Sequence, residues 1–149
     1  MAYDFQVTVD CARPHDLADW WAETLQWQVE PSDEAFIRSM VDQGFATEAD
    51  TTTHRGALVW AMGAAIVQQL AGDGPAGDGP PRRVLFQVVH EAKTVKNRVH
   101  LDVRVGPENV EAALASVLSR GGAFLHRGQQ GQSAWVTVTD PEGNEFCLS

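Results

Sequence analysis

Residues 140–149 read Asp140-Pro141-Glu142-Gly143-Asn144-Glu145-Phe146-Cys147-Leu148-Ser149. The first four make a tight turn. Pro141 presets φ at the second turn position, and Gly143 accepts the positive φ with which the chain enters a strand. The strand predicted over Asn144 to Leu148 puts Glu145 and Cys147 on one face and Phe146 and Leu148 on the other. A carboxylate and a thiol sharing a face mark either a sheet edge meeting water or the wall of a polar cavity.

Working back from this strand, Arg98 to Val105 alternates sharply. Val99, Leu101, Val103 and Val105 share one face, and Arg98, His100, Asp102 and Arg104 share the other. Pro107 opens a helix whose stripe is Val110, Ala113, Leu114, Val117 and Leu118, stopped at Gly121-Gly122. Ala123 to His126 and Ala134 to Thr139 complete a β-α-β-β-β series over about 96–149.

The first half echoes it over about 3–91. Asp4 to Asp10 alternates, with Phe5, Val7 and Val9 opposite Asp4, Gln6, Thr8 and Asp10. Pro14 opens a helix with Leu17, Trp20, Trp21 and Leu25 at helical spacing. Strands are expected at Trp27 to Glu30, Ala57 to Trp60, Ala64 to Gln68 and Val84 to Val89, the last apolar except for Gln87. Two segments interrupt the series. Residues 32–55 read as a helical insertion, a candidate lid. It starts at Ser32-Asp33-Glu34, carries Phe36, Ile37, Met40 and Val41, ends at Gly44, and has a second turn at Thr47 to Asp50. Residues 71–82 contain Ala-Gly-Asp-Gly-Pro twice over, a unit that packs no core and reads as a flexible loop. The fold class expected is α+β: two βαβββ modules from a degenerate internal repeat, packing as curved sheets with helices outside and polar strand faces lining a cleft.

Composition bounds the function. The 149 residues, 44% of them hydrophobic, suit one domain or two small modules sharing a core. No apolar run approaches the roughly 20 residues that span a bilayer. Met1-Ala2-Tyr3-Asp4 lacks the features of a signal peptide, and Cys11 and Cys147 form no disulfide framework, so a cytoplasmic protein with reduced thiols is expected. A formal net charge of −9 without a basic stripe argues against a nucleic-acid partner.

Several residues carry candidate chemistry. His100 either bonds a neighbour or acts as a base oriented by Asp102. Arg98 and Arg104 either bind an anion or pair with Asp10, Asp102 or Glu145. Cys147 either packs as a small hydrophobe or completes a site. Trp60 and Trp135, on strands, either join the core or offer a ligand a flat wall. His15, His54, His90 and His126 fall in loops or at element ends, where surface positions are expected.

Lys96-Asn97-Arg98-Val99-His100-Leu101-Asp102, taken with Asp140 to Cys147, resembles the vicinal oxygen chelate superfamily of glyoxalases, bleomycin-resistance proteins and dioxygenases. Its glyoxalase-like actinobacterial branch is the most similar. The resemblance covers nearly the whole chain apart from the insertion and the Gly-Asp-Gly-Pro loop. It implies paired βαβββ modules around a U-shaped small-molecule cleft, a homodimer, and in metal-using members a divalent ion on four side chains. The matching positions are Gln6, Gln87, His100 and Cys147. The fourth residue after the turn glycine, a glutamate in the family's metal enzymes, is here Cys147, and Glu145 stands two positions too early. A set without a carboxylate suits magnesium or manganese poorly, and a thiolate suits zinc, copper or iron better. A divalent ion (zinc, nickel or manganese) and a metal-free cavity both stay open.

Two functions follow from the resemblance. One is a glyoxalase-like lyase or isomerase on a small oxygenated molecule. Its catalytic residues would be His100 and Asp102, and its substrate contacts Gln6, Gln87, Cys147, Glu145, Arg98 and Trp135. The other is a metal-free protein that sequesters an antibiotic, with the acidic surface attracting a cationic compound. An extradiol dioxygenase is disfavoured, because it needs two histidines and a glutamate for iron.

Overall fold

The computed structural model describes residues 3–68 and 81–149. The duplicated Gly-Asp-Gly-Pro segment, through residue 80, lies outside them. The chain divides into two compact units, Met1–His90 and Glu91–Ser149.

In the first unit, β1 (Val7–Cys11) leads to α1 (Pro14–Leu25) and β2 (Gln28–Val29). Pro14 stands in the first turn of α1, and Gln26 ends the helix in the left-handed region at φ 56°. Next come α2 (Glu34–Asp42), β3 (Thr51–His54), β4 (Ala57–Trp60), β5 (Gly63–Val67) and β6 (Arg83–Val88). The main sheet has the order β1-β6-β5-β2, with β1 parallel to β6 and the other pairs antiparallel. Buried Leu17, Ala18, Trp20 and Trp21 lie on α1, which packs on β5 and β6, where Ile66 and Phe86 are fully buried. Burial of each large apolar side chain stabilises the unit by about 1.5–3 kcal/mol.

The insertion differs from the helical segment expected over 32–55. The helix is there, and the Asp33 carboxylate caps it by accepting from Phe36 N–H at 3.0 Å. The turn at Thr47 to Asp50 is there too, closed by Thr47 N–H donating to the Asp50 carboxylate at 2.7 Å. The strand Ala57–Trp60, however, stays out of the main sheet. It pairs with β3 in a separate two-stranded hairpin. The β-branched run Thr51-Thr52-Thr53 favours a strand. Arg55 and Gly56, both at positive φ (49° and 82°), form the tight turn that matches hairpin twist. The insertion is thus a helix plus a hairpin, held by buried Ile37 of α2 and Val59 of β4.

The second unit runs β7 (Asp102–Val103), α3 (Val110–Ser119), β8 (Ala123–Gln130), β9 (Ser133–Thr139) and β10 (Glu145–Leu148). Its sheet has the order β7-β10-β9-β8, with β7 parallel to β10. The same βαβββ topology therefore occurs twice, with the last strand lying between the first and third. Val136, Val138, Phe146 and Leu148 form the buried face, and α3, with Leu114 and Val117 buried, packs on β8, β9 and β10. Gly122 is required where α3 meets the sheet. A Cβ there would lie 2.5 Å from both the Thr139 carbonyl oxygen and Val117 Cγ1.

The strand expected over Arg98–Val105 is reduced to Asp102–Val103. The ladder to β10 begins at Leu101, whose carbonyl accepts from Cys147 N–H at 3.0 Å. Before that point the segment is held by side chains, and Val99 is 80% exposed. Strand β8 is longer than the expected Ala123–His126 and carries a bulge between Phe124 and His126. Among the described residues no helix is long and apolar enough to cross a membrane.

Candidate functional site

The turn before β10 sets the site's position. Asp140 is 1% exposed. Its carboxylate accepts from Glu142 N–H and Asn144 N–H, each at 2.9 Å, and from the Asn144 amide at 2.9 Å. Gly143, at φ 87°, donates back to the Asp140 carbonyl. This turn fixes the parity of β10, so Cys147 faces away from α3 while Phe146 and Leu148 face the core.

Cys147 pairs with Asp102 on one side and Thr137 on the other, and Thr137 pairs with His126. Asp102, Cys147, Thr137 and His126 thus form one row across all four strands. The β8–β9 hairpin register, unbroken from Gln130 opposite Ser133 to His126 opposite Thr137, sets the last member. The bulge lies just beyond it, with Leu125, which is 45% exposed, as the extra residue. Thr137 Oγ1 lies 3.5 Å from Cys147 Sγ and 3.2 Å from His126 Nε2. His100, two residues before Asp102, places Nε2 3.4 Å from the Asp102 carboxylate.

His100, Asp102 and Cys147 each bring one ligand atom to within 4.8 Å of the others. The sulfur is buried and the imidazole and carboxylate are exposed. One imidazole, one carboxylate and one thiol suit a divalent ion with a position left open on the solvent side. Trp135 lies on the same face. Its indole covers Gly128, where a Cβ would be 2.2 Å from the ring.

The other expected contacts distribute differently. Glu145 shares the face, but both its oxygens are engaged. One accepts from Lys93 Nζ at 3.3 Å and the other from Asn97 N–H at 3.0 Å. Burial opposes its ionisation. The bonds from the Asn97 and Glu145 backbone N–H groups, with the bond and charge of Lys93, outweigh burial and hold the carboxyl below the usual glutamate range. Glu145 thus ties residues 93 and 97 to β10. Arg98 is exposed on that segment, outside the ladder.

In the first unit, Gln6 precedes β1 and accepts from Arg83 at 2.6 Å, while Arg83 grips Glu30 through two bonds of 3.1 and 2.7 Å. The register sets Asp10, not Gln6, beside Gln87. The two amides stand four positions apart and do not form a pair there. Gln87 instead lines a cavity of about 830 Å³. Its apolar wall includes Val29, Phe36, Trp60, Met62 and Leu85, so the insertion supplies part of the lining. His15 and His54 are not simple surface residues. Their rings stack at 5.1 Å, His54 bonds Asp19 at 2.7 Å, and His15 bonds the Trp60 carbonyl at 2.8 Å.

Thr137 and His126 complete the site's surroundings without having stood out as site residues in the sequence. Asp140 carried a local signal, as an aspartate opening a proline-containing turn.

With this geometry in place, the comparisons define the class. The glyoxalase-like domain family matches residues 6–149, and the chain belongs to that family. Among curated proteins the sequence has no match. Solved structures share the fold. A hypothetical protein, SA1046, from S. aureus aligns with TM-score 0.59 at 13% identity, covering 99% of this chain and 93% of that one. The fosfomycin resistance protein FosX from Listeria monocytogenes aligns with TM-score 0.60 at 9% identity, covering 99% and 92%. A glyoxalase/bleomycin resistance protein/dioxygenase family enzyme from Burkholderia phytofirmans PsJN aligns with TM-score 0.57 at 12% identity, covering 96% and 94%. At these identities the likeness establishes the fold of the vicinal oxygen chelate superfamily.

Proposed function

We propose that this protein binds a small oxygenated molecule on the polar face of its second unit and acts on it as a lyase or isomerase. The observation that carries this reading is the meeting of His100, Asp102 and Cys147 within 4.8 Å beside an open face. These three side chains would hold a divalent ion, which when bound supplies a Lewis acid for a ligand oxygen. Trp135 gives the ligand a flat apolar wall, and the Asp140 turn holds Cys147 in place. A structure of a single-residue mutant of the Listeria FosX, 9% identical with TM-score 0.59, is complexed with Mn(II) and 1S,2S-dihydroxypropylphosphonic acid. That gives precedent on this fold for an ion beside an oxygen-rich ligand. The same reading takes residues 1–149 as one functional domain, working as a cytoplasmic homodimer; the free thiols of Cys11 and Cys147 suit a reducing compartment.

The cavity of the first unit favours a second reading, a metal-free receptacle. Its wall is largely apolar, and Phe36 and Met62 are more than half exposed beside it. Metal analysis of protein purified without added metal, with His100→Ala in parallel, separates the two. Stoichiometric metal lost in the variant supports the first. No metal, and no thermal shift with zinc, nickel or manganese, overturns it and leaves the receptacle.

A further inference from the structure

We infer that Cys147 serves as a thiolate ligand held by a directed chain of donors, from His126 through Thr137 to the sulfur. On this account the site prefers a borderline ion such as zinc or cobalt over manganese. The inference rests on the metal-binding reading above and adds the ion's class and two supporting residues.

Donor counting sets the direction of the chain. A thiolate only accepts hydrogen bonds, and a threonine hydroxyl has a single proton. With Sγ ionised, the Thr137 proton must point to it along the 3.5 Å contact. The hydroxyl oxygen is then left as an acceptor toward His126, whose Nε2 lies 3.2 Å away. His126 must therefore carry its proton on Nε2. The chain is fixed end to end by the pairing of three strands, the unbroken β8–β9 hairpin register setting His126 in this row.

Ligand softness selects the ion. A sulfur and an imidazole favour zinc or cobalt, whereas manganese favours oxygen donors. Asp102 supplies the one hard ligand. Thr137 is 8% exposed and Cys147 9% exposed, so little water competes for the sulfur. Partners behind a ligand typically change metal affinity about 10–100-fold. Thr137 is here a positioning residue, acting through Cys147.

The test uses the full chain loaded with zinc, cobalt or manganese alone. Any nitrogen and oxygen site prefers zinc over manganese, so the decisive quantity is the change in that preference. In Cys147→Glu the zinc-to-manganese affinity ratio is expected to fall by at least about tenfold. The cobalt form of the unsubstituted protein is expected to show thiolate-to-cobalt charge transfer in the near ultraviolet, absent in Cys147→Ser. Thr137→Val should weaken zinc binding about tenfold or more, and Thr137→Ser should restore it. Circular dichroism checks that each variant folds. Metal binding with no charge transfer and an unchanged ratio in Cys147→Glu overturns the thiolate assignment alone. Unaltered zinc affinity in Thr137→Val overturns the donor chain. Failure of all three ions to bind overturns the underlying reading instead.

Discussion

Gly128 and Trp135 face each other across β8 and β9, and the indole occupies the space that any side chain at 128 would need. Glycine here is a packing requirement, since the contact distance for an added Cβ is 2.2 Å. Gly128→Ala is expected to push the indole aside and destabilise the unit by about 1–3 kcal/mol. Urea denaturation measures the loss, and the near-ultraviolet dichroism of tryptophan reports the displaced ring. An unchanged aromatic spectrum would show that the ring does not rest there.

Asp140 is the second sensitive point. Its carboxylate satisfies two backbone N–H groups in a turn where the side chain is almost fully buried. Asp140→Ala is expected to cost about 2–3 kcal/mol, because those donors lose a charged acceptor. Asp140→Asn retains one oxygen and should cost less. Denaturation midpoints of the two variants check the order. The alanine change should also disturb Cys147, read as faster modification by a thiol reagent.

Glu145 predicts a pH dependence with a definite sign. Its folded-state pKa lies below the ordinary glutamate value. The group therefore adds stability that is fully present above its unfolded pKa of about 4.3 and is lost as pH falls through the lower folded value. In Glu145→Gln the acid side of the stability profile should be shallower, with the two proteins converging toward the acid end. Melting temperatures over roughly pH 3–7 test this. A variant deficit that stays constant below about pH 4 would rule the carboxylate out as the source.

Ile37 tests the independence of the insertion. It is 1% exposed and packs where α2 meets β4, away from the main sheet's ladders. Ile37→Ala should cost the helix and hairpin about 2–4 kcal/mol. Hydrogen exchange should quicken at Val59 while Phe86 in β6 keeps its protection. Equal loss at both amides would mean that the insertion and the sheet unfold together.

Local chemistry was the legible part of this chain. Pro14 stands in the first turn of α1, Pro107 starts a single 3₁₀ turn leading into α3, and Pro141 with Gly143 turns into β10, all from rules that act over four or five residues. Parity within one strand needs no partner, so the shared face of Glu145 and Cys147 was legible, while the choice of Cys147 over Glu145 came from the family resemblance. Register was not legible. Whether Asp10 or Gln6 stands beside Gln87 depends on pairing between strands far apart in sequence. The His126 contact rests on the register of the β8–β9 hairpin. Arg98 to Val105 alternated like a strand over its whole length, yet the ladder covers only its second part, since alternation describes a side-chain pattern and not the presence of a neighbour. Thr51 to His54 was absorbed into an insertion read as helical, because its strand signal is four residues long.

Each four-stranded sheet is closed by a strand that arrives last and goes into the middle. β6 enters between β1 and β5, and β10 enters between β7 and β9. During synthesis the opening strand of a unit must wait, with its backbone hydrogen-bonded to water, until nearly the whole unit has emerged. Such non-local closure is slow and leaves apolar strand edges open in the interval. The consequence reaches the chemistry. Cys147 lies on the closing strand, so it joins His100 and Asp102, which stand two residues apart, only when that strand pairs. The complete three-residue group and the second unit's finished sheet come into being in the same event.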